Sequence, residues 1–218
     1  RYAEKGWLCA CIDYRLMREN GQAAGYELID LYEDCADATA WLKKHAAELR
    51  IDLARTAVLG ESAGGYLAAA LVTLPMGDVS FYKSAILVNA ITDLSDMRWG
   101  KCVAARSAHP LLKEKSEAEK IALLSPTAHI TAQTCPTLML HGEQDSVVFP
   151  FHSVKFHDLL NACNVETELD FIQDTNHAFL LAEYMQENHV SLQAAVTAVA
   201  QIDAWLDKHG TKEEAEEG

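Results

Sequence analysis

The sequence predicts one α/β domain, a mostly parallel sheet with helices on both faces. Three observations lead there. Short β-prone runs alternate with helical patterns along the chain. The clearest of those runs are apolar on both faces, as strands of a doubly covered parallel sheet must be. Polar residues with chemical uses sit just past strand ends, where ligands collect in such sheets.

The first expected strand is "WLCACIDYR" at 7–15, preceded by Gly6 and followed by the polar loop "ENGQAAG". A long helix follows, from Tyr26 to about Leu49, with Leu28, Leu31, Cys35, Ala38, Leu42 and Leu49 recurring on one face. "RTAVLG" at 55–60 reads as a second strand, and Ser62 opens the small-residue helix after it. "SAILVNA" at 84–90 is the third strand, and a charged stretch with helical character, 94–122, comes next. Pro136 starts a fourth, "TLMLHG" at 137–142, before a helix over 153–163. "ETELDFI" at 166–172 alternates like a half-buried strand. A helix from about His189 to Lys208 and an acidic tail at 210–218, expected to be disordered, complete the chain.

Composition narrows the function classes. The 218 residues, 50% hydrophobic, suffice for one filled core. A formal net charge of −14 argues against nucleic acid and anionic membrane as partners. The longest apolar run, near Tyr66–Met76, is too short to cross a bilayer. The six cysteines, at 9, 11, 35, 102, 135 and 163, are scattered and read as free buried thiols. The Cys9–Cys11 pair has no further ligand at metal-site spacing, so no metal site is expected. Together with the lack of an opening apolar signal segment, this favours a soluble, cytoplasmic setting. The chain does not begin with Met, which leaves secretion open.

Three polar residues pass the strand-end test. Ser62 follows the 55–60 strand, Asp145 the 137–142 strand in "HGEQDS", and His177 the 166–172 strand in "DTNHAF". A serine hydroxyl needs a base to become a nucleophile, and imidazole suits that role near neutral pH. A carboxylate behind the imidazole fixes its tautomer and stabilises its cation. In G-x-S-x-G the serine sits on a sharp strand-to-helix turn, with Gly60 and Gly64 expected to make room. The Ala63 N–H, next along, is the natural first oxyanion donor. Asp145 competes with Asp170, inside a strand pattern, and with Asp174, whose closeness to His177 suits a turn role. His141, before Gly142, is read as orienting the turn, and His45, His152, His157, His189 and His209 as ordinary helix or loop residues. Asp93 and Asp96 are read as solvated loop carboxylates. Met97 and Trp99 either line a pocket or anchor the 94–122 stretch.

"GESAGG", "PTLMLHGEQDSVVF" and "NHAF", in that order, resemble the α/β-hydrolase superfamily. More narrowly, the chain is similar to the hormone-sensitive-lipase-like and acetyl-xylan-esterase-like carboxylesterases. "GWLCACIDYRL" and "EDCADATAWLKKHAAELRID" resemble a strand and helix of that group. The resemblance spans nearly the whole chain. It implies a serine esterase with Ser62 as nucleophile, Asp145 as acid and His177 as base, working through an acyl-enzyme without metal or organic cofactor. Short acyl or acetyl esters, of small molecules or carbohydrate, are the implied substrates, and 94–122 the implied cap. A prolyl-oligopeptidase-type peptidase and an inactive hydrolase-fold binding protein or fragment are the alternatives. The chain departs from the family at the front, where an HGG-type oxyanion loop and its strand are expected and no HGG occurs. In the family that strand lies between the 7–15 and 55–60 strands. The departure implies a truncated fold, a smaller sheet in which those two strands close on each other, or a strand exchanged with another chain.

Overall fold

A computed structural model describes residues 1–104, 107–180 and 192–210. After a single 3₁₀ turn at Ala3–Lys5, the chain makes a two-residue hairpin, β1 (Arg18–Glu19) and β2 (Gln22–Ala23). Asn20 and Gly21 take positive φ at its tip, as the twist of such a turn demands. Helix α1 (Leu28–Lys44) begins with a capping box between Glu27 and Asp30, and α2 (Ala46–Leu49) ends at the left-handed Arg50. The central sheet is β3 (Ala57–Glu61), β4 (Ser84–Val88), β5 (Thr137–Gly142) and β6 (Thr167–Ile172), parallel throughout in the order β3-β4-β5-β6. Helix α3 (Ala63–Thr73) follows β3 directly. Helices α4 (Met97–Ala104) and α5 (Glu117–Leu124) pack on each other within 94–122, α5 opening on a Ser116–Glu119 capping box. Helices α6 (Phe151–Ala162) and α7 (Leu192–Gly210) complete the described elements.

The two-residue period of the strands divides the core. Ala85, Leu87 and Met139 join the larger cluster with α1, α3 and α6. Ile86, Val88, Leu138 and Leu140 face the other way, against Ala194, Ala198, Ile202 and Trp205 of α7. Trp205 anchors that helix by donating its indole N–H to Ser84 Oγ at 3.1 Å. Nearly every side chain of α3 from Tyr66 to Thr73 is buried, because the helix lies between the sheet and α1.

The front of the chain departs from expectation. Residues 7–15 form no strand. Trp7 packs toward α7, Ile12 and Tyr14 lean on the main core, and Arg15 is tied to Asp34 and Asp30. No backbone hydrogen bond joins this segment to β3, so the two do not close on each other. A cavity of about 750 Å³ separates them, lined by Trp7, Ile12, Tyr14, Leu59, Leu67 and Leu71 among others. The physical reason is pairing: a β-prone run becomes a strand only beside a partner, and here β3 is the sheet's edge. Leu8 is therefore 57% exposed, and Cys9 and Cys11, expected to be buried, are exposed free thiols. Cys35 and Cys135 are buried as expected. The expected tail beyond residue 210 and the expected helix start at 189–191 lie outside the described residues. Among the described residues, no helix is long and apolar enough to cross a membrane.

Candidate active site

The end of β3 and the start of α3 meet at Ser62, which takes φ 57° and ψ −116°, a conformation L side chains rarely adopt. Its N–H donates to Val88 O at 2.9 Å, tying the turn to the end of β4, and its own carbonyl accepts from Tyr66 N–H. At Gly60 a Cβ would collide with the backbone of Gly64. At Gly64 itself a Cβ would meet nothing within 4 Å. The second tight position is Gly65, where a Cβ would lie 2.7 Å from Ala90 Cβ. The expectation that Gly64 makes room is thus corrected. What matters is where α3 crosses the end of β4, not symmetry about the serine. Ala63 is the first residue of α3, so its N–H has no acceptor within the helix and is free for developing negative charge.

Asp145 stands on the turn after β5, buried, with Oδ1 accepting from the Val147 and Val148 N–H groups at 2.9 Å each. His177 stands on the turn after β6, just before Ala178 at φ 56°. The fold brings these distant residues together. His177 Nδ1 lies 2.7 Å from Asp145 Oδ2, and His177 Nε2 lies 2.7 Å from Ser62 Oγ. An ionised carboxylate can only accept, so Nδ1 carries its proton and Nε2 is left to take one from the hydroxyl. Burial alone pushes the Asp145 carboxyl up. Hydrogen bonds from His141 and His177, the charge of His177 and the Val147 N–H overcome it, and hold the carboxyl well below the usual carboxylate range. Beside the elbow, burial raises the Glu61 carboxyl. One of its oxygens accepts from Leu180 N–H at 3.2 Å and the other makes no hydrogen bond, the Asn89 amide lying nearby outside bonding geometry.

The competing carboxylates lie elsewhere. Asp170 sits in β6 and is bonded to Gln201 of α7, and Asp174 is an exposed turn residue at φ 53°. Asp93 and Asp96 are not the solvated loop residues expected. Asp93 is 4% exposed and paired with Lys155. Asp96 pairs with Arg98, which holds its carboxyl down at about 2, and lies 3.4 Å from His152 Nε2. His152 is no ordinary helix residue either. Fully buried, it accepts at Nδ1 from the Thr92 and Asp93 N–H groups, and so ties α6 to the segment that leads into α4. Trp99 packs on the core as an anchor, while Met97 is 80% exposed. Asn89 escaped notice in the sequence. Buried at φ 46°, it accepts Gly142 N–H at 2.8 Å and locks the ends of β4 and β5 together beneath the site. Its signal was an Asn closing an apolar strand, where its tolerance of left-handed backbone is useful. Among the described residues no group of three or more His, Cys, Asp or Glu side chains could hold a metal.

Comparison with known proteins agrees with this architecture. The BD-FAE family model matches residues 1–160. A curated Mycobacterium tuberculosis protein named "Probable carboxylic ester hydrolase LipM" is 31% identical over 216 residues, covering 91% of this chain and 46% of that protein. The chain therefore spans about half the length of that relative. The native structure of esterase 2 from Thermogutta terrifontis superposes with a TM-score of 0.69 at 26% identity, covering 94% of this chain and 71% of that one. The same esterase with propionate bound gives a TM-score of 0.68 at 26% identity, covering 94% and 72%. Phosphoramylated by tabun it gives 0.68 at 25% identity, covering 91% and 70%.

Proposed function

This chain belongs to the BD-FAE family and has the α/β-hydrolase fold, and on that premise we propose that it is a serine carboxylic ester hydrolase. One observation carries the reading: the unbroken chain of hydrogen bonds Ser62–His177–Asp145, at 2.7 Å on each link. Ser62 Oγ attacks the ester carbonyl while His177 Nε2 takes its proton. The Ala63 N–H stabilises the oxyanion, and His177 returns the proton to the departing alcohol, leaving an acyl-serine. Water then enters, His177 acts as base again, and the acid is released. Asp145 keeps Nδ1–H in place through both halves and stabilises the transient imidazolium.

Two structures of one neighbour support the assignment. An organophosphate adduct, as on the Thermogutta esterase, forms on a nucleophile activated by a base. Propionate in the same enzyme supports short acyl groups, acetyl and its near homologues, as the substrate class here.

The test is labelling with a fluorophosphonate probe, alongside hydrolysis of p-nitrophenyl acetate and butyrate. Wild type is expected to label at one site, and Ser62→Ala to lose both label and hydrolysis. Labelling that survives Ser62→Ala overturns the assignment.

A further inference from the structure

His141 ends up closer to the chemistry than its place in a strand suggests. It is 0% exposed, enclosed between the Asp145 turn and α6. Its Nε2 lies 2.8 Å from Val148 O and 3.5 Å from Asp145 Oδ2, and its Nδ1 lies 2.7 Å from Ser153 Oγ. A backbone carbonyl can only accept, so Nε2 carries the proton. Nδ1 is then bare and accepts from the Ser153 hydroxyl, which fixes the tautomer from α6. The same Nε2–H faces Asp145 Oδ2 as a second, longer partner.

The Asp145 carboxylate has no water to fall back on, since its side chain is 0% exposed. Oδ1 is filled by two backbone N–H groups and Oδ2 by His177. His141 Nε2, 3.5 Å away, is the further polar ring nitrogen that faces Oδ2. We propose that His141, oriented by Ser153, is a positioning residue that keeps the Asp145 carboxylate aimed at His177 and ionised. The proposal rests on the triad reading above. His141 and His177 both act to lower the Asp145 carboxyl. The other ionisable groups acting on this cluster are Glu61 from β3 and His152 from α6.

The test compares Ser153→Ala, His141→Ala and His141→Gln with wild type and with Ser62→Ala. His141→Gln keeps an N–H donor. Ser153→Ala removes only the tautomer lock and is the gentler change for folding, with circular dichroism confirming a folded chain. With p-nitrophenyl acetate, His141→Ala and Ser153→Ala are expected to lower kcat by about tenfold to a hundredfold at nearly constant KM. The acid limb of the rate profile should move to higher pH, because a protonated Asp145 cannot hold the His177 tautomer. His141→Gln should restore much of both. A readout that needs no turnover is the low-field proton resonance of His177 Nδ1–H, assigned by its loss in Asp145→Ala. It should broaden or shift in His141→Ala and Ser153→Ala and return in His141→Gln. Folded His141→Ala with the wild-type resonance, kcat and acid limb overturns the proposal. Loss of function in Ser62→Ala beside a neutral His141→Ala sinks the positioning role alone, whereas a fully active Ser62→Ala sinks the triad reading.

Discussion

The two sides of the sheet are finished to different degrees. On the β5–β6 side, polar side chains close on one another: Asp145 fills both oxygens, His141 both ring nitrogens, and Asn89 binds the strand ends together. On the β3 side a row of backbone groups faces a cavity, and the β-prone segment across it has no ladder to join. Local chemistry can complete a site from a few turns. Completing a sheet takes a strand of matching length and register, and no amount of β propensity in residues 7–15 substitutes for one.

That contrast can be broken or sharpened by substitution, starting where the effect should be largest. Asp145→Asn, on the closed side, should cut kcat for p-nitrophenyl acetate by about 10⁴-fold with the fold intact, because an amide favours the wrong His177 tautomer. Urea unfolding of two leucine variants weighs the two sides of the sheet. Leu87, fully buried in β4, should cost about 2–5 kcal/mol as alanine. Leu59, 45% exposed on the open edge, should cost less than about 1 kcal/mol. Equal costs would mean that the cavity closes in solution.

The elbow offers a finer version of the same comparison. Gly60→Ala forces a methyl into the Gly64 backbone and should destabilise by about 1–3 kcal/mol, read as a lower urea midpoint. Gly64→Ala meets open space, so the better helix former should leave the midpoint unchanged or raise it by about 0.5–1 kcal/mol.

The smallest effect is expected at Glu61. Its folded carboxyl is raised by burial, so the folded chain holds that proton more tightly than the unfolded chain. Its contribution to stability is present below the unfolded carboxyl value and is lost as pH rises through the raised one. Glu61→Gln, which keeps an acceptor for Leu180 N–H, should therefore raise Tm more at about pH 7.5 than at about pH 4. A gain of equal size at both pH values would place the cause outside ionisation.

Much of this was legible in the chain itself. The strands "SAILV" and "TLMLHG" are apolar runs buried throughout, and all four strands of the sheet begin and end within two residues of their expected limits. The order Ser62, Asp145, His177 placed one chemical group after each of three strands, and the structure joins them by hydrogen bonds. The departures are of one kind. Burial of Asp93, exposure of Cys9 and the tightness of Gly65 rather than Gly64 each depend on residues distant along the chain.

By itself, the sequence determined which residue types follow which strands, and hence the chemistry on offer, because periodicity and turn residues act within a few positions. Tertiary structure alone decided which of those groups meet, which are cut off from water, and whether residues 7–15 pair. Hydrogen bonding across a sheet and through a buried cluster needs partners at fixed distance and angle, and those are set only when the whole domain packs.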